Sequence, residues 1–445
     1  MNPLATILAE TGDVFARMFV ETDALVLAYK FIPYVIFLEM PLNLLIWVGV
    51  LKHYTRRIYE VPTRYPYTPR VSCIVTCYSE GATVRSTIES LAEQLYPGEV
   101  EIIAVVDGAD QNQHTLAALK AMQPELEAYA NRSLIVLPKT PRGGRVSSLN
   151  AGLDRARGEI VLALDADTSF DNTMLSVASE HFRDPNVIAV SGSLRVRNWS
   201  RNLLTRFQAL EYMITIHLAR VGLGEFRAVN NVSGAFGIFR TSMLRRVGGW
   251  TTGTAEDLDL TLRLKQYFGR HPEFRIPFEP RAVGHTDAPA TWRDFLLQRL
   301  RWDGDLFYIY VRKHRNAFSV RQMGFWNTLL GIWFGMLFQM VMPFLIAIYT
   351  VWLVFTAPAP TVIAVFLLIM GLYAILTAIM YVTVLAFISE RPGRDLRLAW
   401  VVPIFPLFTL AMRLWALVAL LNEWLRHGNQ ESAMAPWWVL KKSKR

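Results

Sequence analysis

Acidic residues that directly follow apolar runs are the first candidates for chemistry in this sequence. Asp165 and Asp167 come after the apolar run 160–164, and Asp107 comes after the run 100–106. Alternate side chains of an extended chain point the same way, so we expect the carboxylates of Asp165 and Asp167 to converge. Two such groups suit a divalent cation, Mg²⁺ or Mn²⁺, that would neutralise a pyrophosphate. A solvated pair of loop carboxylates is the alternative interpretation.

Asp107 is followed by Gly108 at the end of its predicted strand. In an open parallel sheet, ligands bind at the edge where the carboxyl ends of the strands meet. Asp107 is then placed to accept hydrogen bonds from a nucleotide base or ribose, although Asp-Gly is also an ordinary turn.

A further acidic cluster occupies 254–259. Leu258 and Leu262 recur at helical spacing, which places Glu256 and Asp257 in the first turn of a helix. One of these carboxylates is a candidate general base for an acceptor hydroxyl. Stabilisation by the helix dipole accounts for acidic residues at this position equally well.

Gln298, Arg301 and Trp302 occupy positions i, i+3 and i+4 of a predicted helix, so they share one face. An indole offers a flat surface for stacking a sugar ring, and a guanidinium can stabilise a diphosphate leaving group. A belt of Trp and Arg at a membrane interface is the alternative, and both descriptions can hold together.

The elements that must position these residues form a layered α/β domain between membrane segments. Short β-branched runs alternate with amphipathic stretches from about 69 to 320, with strands predicted at 71–76, 100–106 and 159–164 and a helix at 83–94. Uncharged apolar runs at 325–355 and 356–389 are long enough to cross a membrane. We therefore expect the four regions 1–55 (amphipathic segment and membrane helix), 69–320 (α/β domain), 324–425 (membrane helices) and 426–445 (basic tail).

Composition and charge support a membrane protein. Hydrophobic residues make up 52% of the 445 residues and charged ones 19%, and the formal net charge is +9. The basic residues cluster beside apolar segments, which indicates contact with membrane lipid and not with nucleic acid. Two cysteines, Cys73 and Cys77, provide neither a disulfide framework nor a zinc site.

The number of membrane crossings is left open by the last apolar stretch, 398–422. Pro403, Pro406 and Arg413 interrupt it, and a simple crossing would place the basic tail on the side opposite to the Arg-rich loop 390–397. Positive charge favours the cytoplasmic side, so the loop and the α/β domain are expected there, at the inner (plasma) membrane. A re-entrant or interfacial segment is the alternative for 398–422.

Taken in order, these motifs resemble those of the processive family 2 glycosyltransferases, which include the cellulose, hyaluronan, chitin and poly-N-acetylglucosamine synthases. The resemblance covers about 69–320 and rests on spaced elements: 71–80 with the sequence VSCIVTCYSE, Asp107, the Asp165/Asp167 pair, Glu256-Asp257, 232–236 and 298–302. It implies a cytoplasmic GT-A-type, Rossmann-like domain inserted between transmembrane helices.

The resemblance also implies roles for individual residues. Asp257, with Glu256 beside it, would be the catalytic base, and Asp167 would hold Mg²⁺ or Mn²⁺. The nucleotide sugar would be bound by Thr76, Tyr78, Glu80, Asp107, Arg145 and Asp165. The acceptor and the diphosphate would be bound by Gln298, Arg299, Arg301 and Trp302.

Two residues depart from the family pattern. Arg145 stands where the family usually has a lysine, and Ala255 stands where it often has a threonine before the acidic pair. No gating-loop signature follows the predicted domain, which argues against control by a cyclic dinucleotide.

The expected function is inverting, processive transfer from a UDP-hexose or UDP-N-acetylglucosamine to a β-linked polysaccharide that leaves through the membrane helices. The expected partners are a UDP-sugar donor, a carbohydrate or glycolipid acceptor and membrane lipid. An export partner and a homo-oligomer remain open. One alternative is non-processive transfer of a sugar to a polyprenyl phosphate or glycolipid. Another is a membrane subunit that binds a nucleotide sugar without catalysis.

Overall fold

The sheet of the α/β domain has eight strands. The computed structural model describes residues 3–20, 33–59, 65–251 and 254–428. The lateral order of the strands is β3-β2-β1-β4-β7-β6-β8-β5. Their bounds are β1 Val71–Cys77, β2 Val100–Asp107, β3 Arg132–Lys139, β4 Ile160–Asp165, β5 Ser169–Phe170, β6 Ala189–Val196, β7 Phe236–Arg240 and β8 Phe278–Thr286.

The first four strands are mutually parallel, and this determines where the predicted site residues lie. β1 pairs with β2 on one side and β4 on the other, with Thr76 opposite Asp165 in the register. β2 pairs with β3, with Asp107 opposite Lys139. The carboxyl ends of these strands therefore meet at one edge. β7 is antiparallel to β4 and to β6, whereas β8 is parallel to β6, so the sheet as a whole is mixed.

Helices cover this sheet and confirm the predicted α/β class. The predicted strands and the predicted helix 83–94 are all found, with bounds shifted by a few residues. The helices of this part of the chain are Val84–Ala92, Gln113–Leu126, Gly144–Arg155, Met174–Glu180, Leu203–Tyr212, Ala219–Gly224, Thr241–Arg246, Glu256–Lys265 and Trp292–Phe307. Shorter 3-10 turns lie at Gly81–Thr83 and His181–Arg183, and π-helical turns continue two of the helices at Met213–Leu218 and Tyr308–Lys313.

Four helical segments in the described residues are long and apolar enough to cross a membrane: Val35–Tyr59, Phe325–Thr356, Ala359–Phe387 and Pro392–Arg426. The second ends at Thr356 and the third begins at Ala359, on either side of the Ala-Pro break. The amphipathic helix expected near the N-terminus is Pro3–Val20. The expected basic tail, 426–445, lies outside the described residues from 429 onward.

Several shorter helical pieces make up these segments. They are the π-helical turn Val35–Glu39 with helix Met40–Tyr59, the helix Phe325–Leu330 with the π-helical stretch Gly331–Val341 and helix Met342–Thr356, and the series Pro392–Asp395, Leu396–Ile404 and Phe405–Arg426. The short helix Val320–Met323 precedes the second segment.

Helix Met40–Tyr59, in the first candidate membrane segment, packs against the α/β domain through a close approach of two glycines. A Cβ atom on Gly49 would collide with backbone atoms of Gly222, 2.7 Å from its carbonyl carbon. Arg56 adds an ion pair to Glu225, with 2.6 Å between Nη2 and Oε1. Deeper along the same segment, the buried carboxylate of Glu39 lies 3.6 Å from the guanidinium of Arg413, so this intramembrane acid is paired.

Substitution of Gly49 tests whether this helix packs closely against helix Ala219–Gly224. Gly49→Leu should force the first membrane helix away from Ala219–Gly224, because overpacking of a close backbone contact costs about 1–3 kcal/mol. The midpoint of thermal unfolding in detergent should fall by several degrees. Gly371→Leu is the matched control, since a Cβ at Gly371 in helix Ala359–Phe387 meets no atom within 4 Å. Equal losses in the two variants would contradict the packing.

Candidate active site

A polar cleft lies at the carboxyl edge of the parallel strands. All seven residues that the sequence predicted for the nucleotide sugar and the metal line this cleft. The lining residues are Thr76, Cys77, Tyr78, Glu80, Asp107, Arg142, Arg145, Ser148, Asp165, Ala166 and Asp167. Parallel pairing of β1, β2 and β4 brings these positions together although they span some ninety residues of sequence.

Asp107 organises the loop that follows β3. Its carboxylate accepts hydrogen bonds from the Lys139 ammonium at 2.7 Å and from the backbone N–H groups of Gly143 and Gly144, both at 2.8 Å. Only 4% of Asp107 is exposed, so most of its acceptor capacity serves this loop. Asp107 thereby fixes the start of helix Gly144–Arg155, which carries Arg145 into the cleft.

Arg145 connects the cleft to the acidic helix, Glu256–Lys265. Its Nε donates to Glu256 Oε1 at 2.6 Å, and its Nη2 donates to the Gly234 carbonyl at 2.5 Å. Its Nη1 donates to Thr76 Oγ1 at 2.9 Å and also contacts the Asp165 carboxylate. The planar guanidinium has donors in several directions, whereas a lysine would offer a single point charge.

Asp165 and Asp167 both line the cleft, but the expected reason was wrong. β4 ends at Asp165, and residues 166–167 form a turn instead of continuing the strand. Asp165 pairs with Arg145, while Asp167 is exposed and accepts a hydrogen bond from the neighbouring Thr168 hydroxyl at 3.2 Å. The turn, not strand alternation, brings the second carboxylate to the cleft.

The Asp167 carboxylate suits a divalent cation whose other ligands are oxygens of the substrate phosphates. No group of three or more His, Cys, Asp or Glu side chains able to hold a metal occurs in the described part of the chain. Mg²⁺ commonly uses one or two carboxylates together with phosphate oxygens and water, and the exposed Asp167 carboxylate suits that arrangement. Glu80 lies nearby, where burial first and then Asp167 raise the pKa of its carboxyl.

Tyr78 and Arg142 form one wall of the cleft. The Arg142 guanidinium lies 4.0 Å from the centre of the Tyr78 ring, and 40% of Tyr78 is exposed. A partly exposed ring beside a guanidinium can stack a planar base. Arg142 was not among the predicted site residues, although it stands only three residues before Arg145.

The first turn of the acidic helix presents Asp257, as predicted from the leucine spacing. Asp257 Oδ2 accepts from Asn231 Nδ2 and from the Gly234 N–H, both at 2.9 Å, and Oδ1 accepts from the Leu258 N–H at 2.8 Å. These donors fix the orientation of a half-buried carboxylate. Gly234 thus supplies its N–H to Asp257 and its carbonyl to Arg145, an arrangement that the sequence did not reveal.

Glu256 faces away from solvent behind Arg145, with 4% of the residue exposed. Burial raises the pKa of its carboxyl, Arg145 opposes that shift, and the neighbouring Asp257 adds to it. This position holds the arginine in place, whereas the half-buried Asp257 remains the better placed of the two predicted catalytic acids.

The predicted acceptor residues lie on helix Trp292–Phe307, called the acceptor helix below, and do not line the polar cleft. Arg299 donates to Glu211 at 2.5 Å, and its guanidinium lies 4.7 Å from the Trp302 ring centre. Trp302 packs on Arg299, which lies three residues before it on the same helix, and the helix places Gln298, Arg301 and Trp302 at the predicted spacing. The Trp302 indole is 38% exposed.

Asp305, which was not among the predicted site residues, lies where the acceptor helix meets the acidic helix. Its buried carboxyl interacts with the side chain of Thr254, just before the acidic pair, and this interaction lowers its pKa. Burial raises the pKa of the Asp305 carboxyl to about 7, and the charges of Glu256 and Glu423 act in the same direction. The two helices are thus joined by a buried contact next to Glu256.

Known proteins resemble this chain in sequence and in fold. Poly-β-1,6-N-acetyl-D-glucosamine synthase of Staphylococcus epidermidis is 27% identical over 303 residues, 68% of this chain and 69% of that protein. The same enzyme from a second strain is 30% identical over 244 residues, 54% of this chain and 56% of the relative, so that match spans little more than half of the relative's length. A probable glycosyltransferase of Bacillus subtilis is 26% identical over 296 residues, 62% of this chain and 68% of that protein.

Among solved structures, a mannosyltransferase from Pyrobaculum calidifontis, determined with GDP-Man and Mn²⁺, superposes with a TM-score of 0.53. The match covers 87% of this chain and 97% of that one at 19% identity, and it shows the fold. The family model described as glycosyltransferase like family 2 matches residues 69–304, more than half of this chain. The chain therefore belongs to the family 2 glycosyltransferases.

Proposed function

We propose that this glycosyltransferase is an inverting, processive enzyme that builds a β-linked polysaccharide from a UDP-sugar, a UDP-hexose or UDP-N-acetylglucosamine. The main support for this proposal is the bridge made by Arg145, which contacts Asp165 in the polar cleft and Glu256 beside Asp257. A donor bound in the cleft and a base on the acidic helix are thereby held in one rigid arrangement. The similar poly-β-1,6-N-acetyl-D-glucosamine synthases support a polysaccharide product.

Different residues of the cleft would bind different parts of the donor. Tyr78 and Arg142 offer a surface for the base, and Thr76 and Glu80 lie where a ribose would be bound. Asp167 would hold Mg²⁺ or Mn²⁺, which when bound neutralises the diphosphate; Mn²⁺ accompanies GDP-Man in the Pyrobaculum mannosyltransferase. Asp165 and Arg145 would then orient the donor around that diphosphate.

Asp257 would act as the general base. It would take the proton of an acceptor hydroxyl while that oxygen forms a bond to the anomeric carbon of the donor. The bond from that carbon to the diphosphate breaks on the opposite face, and the diphosphate leaves with the electron pair, so the configuration inverts. The donors from Asn231, Gly234 and Leu258 keep the carboxylate aimed during this step.

The acceptor helix would hold the growing chain. Trp302 gives an exposed indole for sugar stacking, and Arg299 keeps it in place by packing on its face. Gln298 and Arg301 would bind acceptor hydroxyls or the departing diphosphate. Because these residues lie outside the donor cleft, they are suited to a sugar that has already been transferred.

The same proposal places the catalytic domain on the cytoplasmic side of the inner (plasma) membrane. Arg56 and Arg57 lie at the domain-side end of the first membrane helix, and Arg391 and Arg394 lie at the domain-side end of the third. Positive residues at these ends favour the cytoplasm. Division into 1–55, 69–320, 324–425 and 426–445, and export along the membrane helices, belong to this proposal.

Product length tests the proposed function. Purified protein in vesicles should release UDP from one donor of a panel of UDP- and GDP-sugars with Mg²⁺ or Mn²⁺, and the product should be a polymer by gel or mass spectrometry. A product carrying one added sugar on a polyprenyl phosphate or glycolipid would establish the non-processive alternative. Donor binding without nucleotide release from any acceptor would contradict both.

The roles of two acids can be separated by substitution. Asp257→Asn should reduce transfer about 10²- to 10⁴-fold, because the base is lost, and should leave donor affinity unchanged. Asp167→Ala should weaken metal-dependent nucleotide binding. Nucleotide release and calorimetric binding measure the two effects, and Asp154→Asn, at an exposed position outside the cleft, serves as the control. Full turnover in Asp257→Asn would refute its assignment.

The buried Asp305 predicts a pH-dependent stability. Its folded-state pKa, about 7, lies above the unfolded value of about 3.9, so the folded state binds the proton more tightly. The associated stabilisation is complete below pH ~4 and is lost as the pH rises through 7, with an upper limit of about 4 kcal/mol. Asp305→Asn cannot ionise, so thermal unfolding in detergent at pH 5 and pH 8 should show a smaller decline than in the parent chain. The exposed control Asp154→Asn should follow the parent, and a parent-like decline in Asp305→Asn would exclude this explanation.

A further inference from the structure

The last apolar segment, Pro392–Arg426, is long enough to cross a membrane, yet both of its ends contact the catalytic domain. Near its start, the Asp395 carboxylate pairs with Arg195 at the end of β6, at 2.8 Å. Near its end, Arg312 pairs with the fully buried Glu423 at 2.9 Å and donates to the Glu423 carbonyl at 3.1 Å. A segment that crossed once would end on the opposite side from where it began.

The middle of this segment follows the acceptor helix. The rings of Phe408 and Phe295 lie 5.7 Å apart, and the Trp415 indole N–H donates to the Leu296 carbonyl at 2.9 Å. Farther along, Gly304 approaches Glu423, to whose Cβ an added Cβ would lie 3.5 Å away. The two helices therefore run in the same direction and contact each other along their length.

The depth of the acceptor helix limits the depth of its neighbour. The acceptor helix has the sequence WRDFLLQRLRWDGDLF, with three arginines and three aspartates, too many charges for the hydrocarbon of a bilayer. It must lie at or above the membrane surface. Helix Phe405–Arg426, which packs along it, therefore lies near that surface as well.

The other three segments provide the reference for the two sides. On the catalytic side, Phe387 at the end of the third segment contacts Tyr54 of the first, with ring centres 5.0 Å apart. At the opposite end, Met18 of helix Pro3–Val20 packs with Leu353 and Ala364, on either side of the break between the second and third segments. The fourth segment reaches these spans through Arg413 in its middle, which pairs with Glu39 at 3.6 Å and donates to the Phe338 carbonyl at 2.7 Å, while both of its ends stay with the catalytic domain.

The outward face of helix Phe405–Arg426 is apolar. Leu407, Leu414, Val418 and Leu425 are 52%, 44%, 46% and 70% exposed and recur at a helical spacing. Inward residues of the same helix pack on aromatic side chains of the catalytic domain, such as Phe207, which stacks on Phe408 at 4.7 Å. An exposed apolar stripe continuous with three membrane-crossing helices fits the acyl chains of the adjoining leaflet.

We propose that Pro392–Arg426 does not cross the membrane but lies along the catalytic-side leaflet, where Leu407, Leu414, Val418 and Leu425 insert among acyl chains. The chain then has three crossings in its described part, and residue 428 lies on the same side as the catalytic domain. Trp415 and Glu423 of this segment contact the acceptor helix, so the segment lies between the acceptor helix and the lipid. This arrangement is independent of which sugar is transferred.

Sidedness of an introduced cysteine tests the proposal in the full-length chain. The native Cys73 and Cys77 are buried, so an added surface thiol reports alone. Arg426→Cys is compared with exposed references: Lys120→Cys in the catalytic domain and Ala359→Cys at the start of the third segment. A membrane-impermeant maleimide applied to sealed vesicles should label Arg426→Cys from the same side as Lys120→Cys. Labelling from the side of Ala359→Cys would overturn the proposal.

Depth gives a second and independent measurement. A fluorophore attached to Leu414→Cys should be quenched more strongly by lipids that carry a nitroxide near the headgroup than by lipids that carry it near the chain end. Ile375→Cys, which is 60% exposed near the middle of helix Ala359–Phe387, is the matched deep control with the opposite order of quenching. If Leu414→Cys shows the same order as Ile375→Cys, the segment crosses the bilayer and the proposal fails.

Discussion

The arrangement of the active site depends on one guanidinium. Arg145 is 10% exposed and satisfies two acids, Asp165 and Glu256, that lie more than ninety residues apart in the sequence. A buried carboxylate such as that of Glu256 is stable as an anion only if a cation with matching geometry lies beside it. A planar fork with several donors can meet Thr76 and the Gly234 carbonyl at the same time. This constraint gives a physical reason for arginine at position 145, where the processive family 2 glycosyltransferases usually have lysine.

Arg145 is itself held in place by Asp107. The Asp107 carboxylate collects two consecutive backbone N–H groups and the Lys139 ammonium, and so fixes the loop immediately before Arg145. A nearly buried carboxylate at the end of a strand is therefore used mainly as a structural acceptor, while the exposed Asp167 keeps its oxygens open to the cleft. Asp107 and Asp167 both follow apolar strands in the sequence. Their environments differ because a loop encloses Asp107, whereas Asp167 lies exposed on a turn.

Much of the polar cleft could be predicted from the sequence, because parallel strands bring their carboxyl ends to one edge whatever the loops between them do. Partners contributed by distant loops could not be predicted: Asn231 for Asp257, Lys139 for Asp107 and Thr254 for Asp305. Spacing alone also failed locally. Asp167 reaches the cleft through a turn at 166–167 and not through alternation along a strand, because β4 ends at Asp165.

Hydrophobic length leaves the last segment undecided, because an interfacial helix packed on one face can be as apolar as a crossing one. Contacts decide where length cannot: ion pairs at both ends and a continuous seam with a charged helix place Phe405–Arg426 beside the acceptor helix. The acceptor helix is then held by Asp305 at the acidic helix and by Glu423 and Trp415 from the membrane side. Its position relative to Asp257 is fixed from two directions, so the residues predicted to bind the acceptor are held at a set distance from the predicted base.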